Sequence, residues 1–347
     1  MRLTPRGRAV VAVVAGAVIL SWQFGPRSLN AVVVPLAVVL LAGLVAVSRT
    51  DRPRVSRRPV PEGFIGEERT VAVDVETDRA VAATVRDTVG NGDGPGDSAG
   101  NEFSPISDPV AETTLDGDET LSYEVRLEAR GRHQVGPLSI AVRDVVGLVE
   151  RRFEYDETMP ILVYPRVRDL GRGNAADIRT LAGVADRHAR EEFDHLREYH
   201  RGDPMRDVHW KAAAKRPDDD LVVAEYADDE DAGAITVAAE CLTTRADETA
   251  SAAASVVTYL LEQGATVGLV VPDGTVPPGS GRDHHRDLLG LLAVAEPGEL
   301  DDRTRRDADV LVRTDTTETT VVVDDREIPF ERFYSARAPG REVNANA

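Results

Sequence analysis

Leu121-Ser-Tyr-Glu-Val-Arg-Leu127 alternates apolar and polar side chains with a period of two. A strand points successive side chains to opposite faces, so this stretch reads as a half-buried β-strand. Thr70-Val-Ala-Val-Asp-Val-Glu76 repeats the pattern, and its valines favour extended backbone. Outward from these two, short runs of the same kind are separated by turn signals. Gly90 to Asn101 (GNGDGPGDSAGN) reads as an enlarged hairpin tip. The spacing predicts a small antiparallel β-sandwich over residues 58–168, an architecture that binds, spaces or braces.

One part of that segment is distinctive: Arg130-Gly-Arg-His-Gln-Val-Gly-Pro137, then Arg143-Asp-Val-Val-Gly-Leu148, then Val163-Tyr-Pro-Arg166. Gly131, Gly136 and Gly147 read as turn positions that tolerate positive φ. Asp144 can accept backbone hydrogen bonds in the turn it opens.

Toward the N-terminus, Ala9–Phe24 (AVVAVVAGAVILSWQF) and Ala31–Val47 (AVVVPLAVVLLAGLVAV) carry no charge. Each approaches the ~17–25 residues of a spanning helix. Gly25-Pro26, Arg27, Ser28 and Asn30 form a tight connection between them, so residues 1–50 are expected to form a transmembrane helical hairpin. Trp22 and Phe24 suit an interfacial belt, and Pro35 lies early in the second run. A cleaved signal peptide is the competing reading, but no convincing small-residue cleavage site appears and a second apolar run follows at once. Arg2, Arg6 and Arg8 precede the pair and Arg49, Arg52, Arg54, Arg57 and Arg58 follow it, while the connection holds only Arg27. The positive-inside bias then places both ends, and the remaining chain, in the cytoplasm at a cell membrane.

The net charge is −19, and Lys211 and Lys215 are the only lysines. Such a carboxylate-rich surface suggests adaptation to high salt; arginine-for-lysine codon bias of a GC-rich genome is the alternative. Either way the charge disfavours nucleic-acid binding. Cys241 is the only cysteine, so no intrachain disulfide and no cysteine-rich metal site can form.

The sharpest motif runs Leu196-Arg-Glu-Tyr-His-Arg-Gly-Asp-Pro-Met-Arg-Asp-Val-His-Trp-Lys-Ala-Ala-Ala-Lys215. Its core is Arg197, Glu198, Tyr199, Gly202, Asp203, Arg206, Trp210 and Lys215. The arginines can pair bidentately with Glu198, Asp203 or Asp207, and Trp210 offers a plate for a guanidinium. The cluster reads either as a structural clasp or as a docking surface for a partner. A metal site on His200 and His209 lacks a third ligand at suitable spacing. His284-His285 reads as a polar loop.

After the motif the pattern becomes α/β. Strands are expected at Leu221–Ala227, Ala234–Ala239, Ala265–Val271, Ala308–Arg313 and Thr319–Val323. Helices are expected at Ala246–Gln263, stopping at Gly264, and at Arg286–Ala295. This predicts a short doubly wound sheet over 234–335, with 169–233 as motif segment and linker and 336–347 as a disordered tail.

Taken with the Arg-Gly, Asp-x-x-Gly-Leu and Tyr-Pro pieces in the same order, the motif closely resembles the bacterial and archaeal family called domain of unknown function 58. The resemblance implies a two-span anchor, a β-sandwich and a von Willebrand factor A-like domain. It also implies a non-enzymatic accessory protein that works with a MoxR-type AAA+ ATPase and other membrane proteins in assembling or activating complexes. In A-type domains an Asp-x-Ser-x-Ser turn after the first strand holds Mg²⁺. Here the matching turn is Glu240-Cys-Leu-Thr-Thr244, in which Leu242 cannot ligate, so Glu240, Thr244 and Asp315 make a degenerate site. No serine triad, phosphate loop or zinc motif is present in the sequence, which disfavours an enzyme. An outward-facing envelope adhesion protein is the rival reading, and a hydrolase using His200, Asp203 and His209 a third that rests on residue type alone.

Overall fold

The structure is a computed structural model, and it describes residues 1–24, 30–89, 103–105, 109–191, 195–198, 222–225 and 233–334. These divide into two compact units, one extending to Val163 and the other beginning at Tyr164. The glycine-rich stretch expected as a hairpin tip and the tail expected at 336–347 lie outside the described residues.

The first unit carries nine strands: β1 (Arg2–Leu3), β2 (Arg54–Arg57), β3 (Gly63–Phe64), β4 (Glu68–Val89), β5 (Phe103–Pro105), β6 (Val110–Leu127), β7 (Gly131–Arg143), β8 (Val149–Tyr155) and β9 (Met159–Tyr164). The two alternating stretches that predict strands are neighbours, with Val71 opposite Tyr123 and Val73 opposite Leu121. Where two separate sheets were expected, hydrogen bonding runs continuously through all nine strands. The reason is the length of β4 and β7, which change partners along their course. The first half of β4 pairs with β2 and its second half with β7, after an irregularity between Thr77 and Val81. Such an irregularity bends a strand and lets it serve two layers. Two apolar clusters result, one around Val71, Val125, Leu127 and Ile161, the other around Val75, Val85, Leu115 and Ile140.

Helices α1 (Pro5–Phe24) and α2 (Asn30–Ser48) pack on each other and belong to this unit. The transmembrane hairpin expected over 1–50 is overturned: among the described residues no helix is long and apolar enough to cross a membrane. Part of each helix serves a different purpose. Arg6 and Arg8 occupy the first turns of α1, and Gly7 lies so close to Leu148 that a Cβ there would sit 2.1 Å from its carbonyl oxygen. Val47 of α2 is buried with Leu148 and Val149. The start of α1 and the end of α2 are therefore fastened to the β7–β8 turn. Strand β1 extends the fastening by pairing antiparallel with β8.

The second unit is built on a mixed six-stranded sheet: β12 (Ala234–Cys241), β13 (Thr266–Val271), β14 (Gly274–Gly279), β15 (Val310–Thr314), β16 (Thr319–Val323) and β17 (Arg326–Pro329), in the order β14-β13-β12-β15-β16-β17. Only β13, β12 and β15 run parallel, and an antiparallel hairpin closes each side. The expected doubly wound sheet is thus corrected to a parallel centre with antiparallel edges. Strand β14 (GTVPPG) hid because its prolines suit only an edge. The β16–β17 turn places Asp324 and Asp325 at positive φ, as a two-residue hairpin turn requires.

Helix α4 (Ala246–Glu262) follows the expected span and Gly264 takes φ 82° behind it. Helix α5 spans Gly281–Val294, longer than expected, and it absorbs His284 and His285 from the supposed loop. The His284 ring lies 2.7 Å from the Val267 carbonyl, and that of His285 2.8 Å from the Thr258 hydroxyl. Burial lowers the His285 pKa below the ordinary histidine value. Helix α3 (Ala175–Glu191) occupies part of the expected linker, burying Leu181 and Val184. Helices α6 (Asp302–Asp307) and α7 (Glu331–Tyr334) complete the unit, with a ribbon of β10 (His195–Glu198) and β11 (Val222–Glu225).

Candidate functional site

Strand β12 lies between β13 and β15 and runs parallel to both, and the carboxyl end of such strands is where ligands of open α/β sheets usually bind. The strand ends Ala239-Glu-Cys241, and alternation puts Glu240 on the face opposite Ala239 and Cys241. On the Cys241 face, α4 presents alanines, Ala250 and Ala253 among them, that pack down to the sheet. They leave only a void of about 10 Å³ between Cys241, Thr249, Pro272 and Leu292. That is scarcely room for one water.

On the other face the Glu240 side chain is fully buried. Its Oε2 accepts from the Leu300 amide at 3.1 Å and from Arg305 Nε at 2.9 Å. Arg313 Nε lies 3.5 Å from Oε1, which has no hydrogen-bond partner among the described residues. Arg305 also meets Glu299 and Asp302. Hydrogen bonding to Glu240, and then to Glu299, raises the Arg305 pKa above its ordinary value. The arginine is brought there by α6, whose start is capped by Asp301 accepting from the Arg303 and Thr304 amides. Cys241 and Gly298 exchange backbone hydrogen bonds at 3.0 Å, which ties the preceding loop to the same strand end.

The three residues of the degenerate metal site do not form a ligand set. Glu240 is engaged by guanidinium groups, Thr244 is exposed, and Asp315 closes its own turn. Asp315 Oδ1 accepts from the Thr317 amide at 2.7 Å, the Thr317 hydroxyl at 2.5 Å and the Glu318 amide at 3.0 Å. These bonds, the hydroxyl first, hold its pKa down at about 2. Arg245 lies between the two loops, bonded to Glu248 and 3.5 Å from the Asp315 carbonyl. A permanent cation thus stands where Mg²⁺ would need only oxygens. Among the described residues no three His, Cys, Asp or Glu side chains are grouped to hold a metal. The residues present do not fit Mg²⁺.

Of the charged motif, Arg197 and Glu198 lie on β10, opposite Val223 and Val222 of β11. Tyr199, Gly202, Asp203, Arg206, Trp210 and Lys215 lie outside the described residues, as do His200 and His209.

Sequence reasoning missed a buried cluster in the first unit. Arg57 grips Asp87 with both terminal nitrogens, at 2.5 and 2.7 Å, and the Tyr123 hydroxyl donates to Asp87 at 2.8 Å. The Thr88 amide supplies a fourth hydrogen bond, at 2.9 Å. Burial, with the Asp87 charge beside it, pushes the Tyr123 phenol well above its ordinary pKa. The available signal was register: Asp87 shares the inward face of β4 with Val85, and an acid in that position demands a cationic partner. The arrangement fills every oxygen it contains and offers nothing to a substrate.

Compared with known proteins, residues 195–325 match the model of a family described as a protein of unknown function, DUF58. That range covers the motif and the α/β sheet as far as β16. The Bacillus subtilis protein described as uncharacterized protein YeaD is 24% identical over 233 residues. Those residues are 65% of this chain and 58% of the relative, so the chain spans less than two thirds of the relative's length. Among solved structures, PapD-like domain 7 of human CEP192 matches with a TM-score of 0.25 at 10% identity, covering 33% of this chain and 86% of that one. A C. elegans member of the MSP family matches with a TM-score of 0.21 at 7% identity, covering 31% and 96%. Scores at that level say nothing of a shared fold. The similarity that stands is to the DUF58 family, over residues 195–325.

Proposed function

We propose that the protein is a non-enzymatic accessory protein, held at a lipid surface by α1 and α2, that presents its α/β unit to a protein partner. The observation that carries this reading is the surface of the helix pair. Val13, Val18, Ile19 and Leu20 of α1 and Val34, Val38, Leu41 and Leu44 of α2 are all exposed. Contiguous apolar surface of this kind marks an interaction site, and lipid is the partner that suits two helices whose middle turns expose only apolar side chains. The reading claims attachment and no crossing. Arginines at the fastened ends of both helices suit anionic headgroups, such as those of a cytoplasmic leaflet.

The paired, enclosed carboxylates of both units support a binding role over a catalytic one, since a reaction centre needs a group free to act. From the family resemblance come the finer parts: a von Willebrand factor A-like character for the α/β unit, a MoxR-type AAA+ ATPase as partner, and complexes of other membrane proteins as clients. The acidic, lysine-poor composition supports a saline cytoplasm. Crosslinking in native membranes followed by mass spectrometry tests the reading. An AAA+ ATPase should be recovered with the chain, and Arg206→Ala distinguishes the motif's two roles by lowering recovery with or without loss of folded protein. Recovery of outward-facing envelope proteins alone would overturn it in favour of the adhesion reading.

A further inference from the structure

The Asp144-Val-Val-Gly147 turn joins β7 to β8 and has the residue pattern of a tight, rigid turn. Aspartate opens it and glycine closes it, with Gly147 at φ 71°. Asp144 Oδ1 accepts from the Val149 amide at 2.6 Å and Oδ2 from the Val146 amide at 3.1 Å. The Gly147 amide returns to the Asp144 carbonyl at 2.8 Å. Held by these bonds, the turn leaves its two central side chains exposed. Both are valine, at 103% and 52% exposure. Polar residues usually fill such positions when the turn faces water.

The neighbours of this turn are the apolar helices. A Cβ on Gly43 of α2 would sit 3.0 Å from Asp144 Oδ2, and Thr4, just before α1, donates its hydroxyl to the Gly147 carbonyl at 2.6 Å. Leu3, 40% exposed, lies on the adjoining β1. Exposed Arg6 and Arg8 flank Gly7, which packs against Leu148, and exposed Arg49 follows the buried Val47, so permanent cations stand beside the turn. The occupant consistent with apolar tips beside exposed arginines is an anionic lipid surface.

We infer that the Asp144–Gly147 turn is a third lipid contact, which seats Val145 and Val146 in the interfacial layer beside α1 and α2 and so fixes how the first unit stands on the bilayer. This inference rests on the lipid attachment proposed above. Its test uses the full chain carrying Cys241→Ser, reconstituted with phosphatidylglycerol–phosphatidylcholine vesicles. Single Val145→Cys, Val18→Cys and Asp116→Cys variants each carry an environment-sensitive fluorophore. All three sites are solvent-facing in the chain alone. The label at 145 should shift to the blue and be quenched by a nitroxide near the lipid carbonyls, with iodide quenching reduced several-fold relative to 116. A label at 18 in lipid with that at 145 still in water overturns this inference and leaves attachment standing. Both labels in water overturn both. A label at 145 in lipid with that at 18 in water upholds the turn as a contact and overturns the role given to the helices.

Discussion

At the carboxyl end of β12 a buried carboxylate has drawn in Arg305 from α6, with Arg313 also near it, whereas the outer faces of α1 and α2 and the valines of the β7–β8 turn stay exposed. The first region carries the sequence features of a ligand site and has used them internally. The second carries no reactive group and has left its apolar surface open. A buried charge costs too much to await a partner, so the chain must neutralise it while folding. Apolar side chains tolerate water at modest cost and can be kept for a later occupant.

A similar contrast separates the buried carboxylates Asp87 and Glu240, and it can be broken by substitution. Asp87 fills both oxygens, so Asp87→Ala strands the Arg57 guanidinium and the Tyr123 hydroxyl together. It should destabilise the first unit by about 3–5 kcal/mol, read as a lower midpoint in denaturant titration. Glu240 has an oxygen without a hydrogen bond, and Glu240→Gln keeps the shape. A smaller loss of about 1.5–3 kcal/mol is expected, the value of hydrogen bonds to a charged group. Equal losses would mean that the two sites are built alike.

Metal titration sharpens the same comparison. If guanidinium groups hold Glu240 as described, Mg²⁺ or Mn²⁺ should leave the melting temperature of the chain unchanged. A saturable rise, abolished by Glu240→Gln, would show a site able to displace Arg305. The smallest effect concerns Asp315. Its folded pKa of about 2 lies below the ordinary 3.8, so its contribution is complete above about pH 4. That contribution is lost as pH falls toward 2. In Asp315→Ala the acid-side loss of stability over that window should be shallower than in the parent, and identical slopes would contradict the hydrogen bonding described.

The strands were legible wherever one face is buried and the other wet, as at Val71, Val73 and Val75, because alternation records burial directly. Turn glycines and Asp144 were legible because positive φ and local capping restrict residue choice. Three kinds of feature were not. The prolines of β14 masked an edge strand, and the histidines of α5 masked a helix start whose polar side is spent on contacts with Val267 and Thr258. The partners of Glu240 were invisible because Arg305 lies 65 residues away, and local pattern carries no information on such pairing. The length of the two apolar runs suggested a crossing, but their fastened ends turn part of each into protein contact.

Whether α1 and α2 hold the chain to lipid decides the function proposed for the molecule. Flotation of the full chain with phosphatidylglycerol-containing vesicles measures this, with a Val13→Glu, Leu41→Glu double variant as comparison. Both positions are exposed, so folding should be untouched. The parent should rise with the vesicles in high salt and the variant should remain largely at the bottom of the gradient. A parent that stays at the bottom, or a variant that floats equally well, would contradict the central claim.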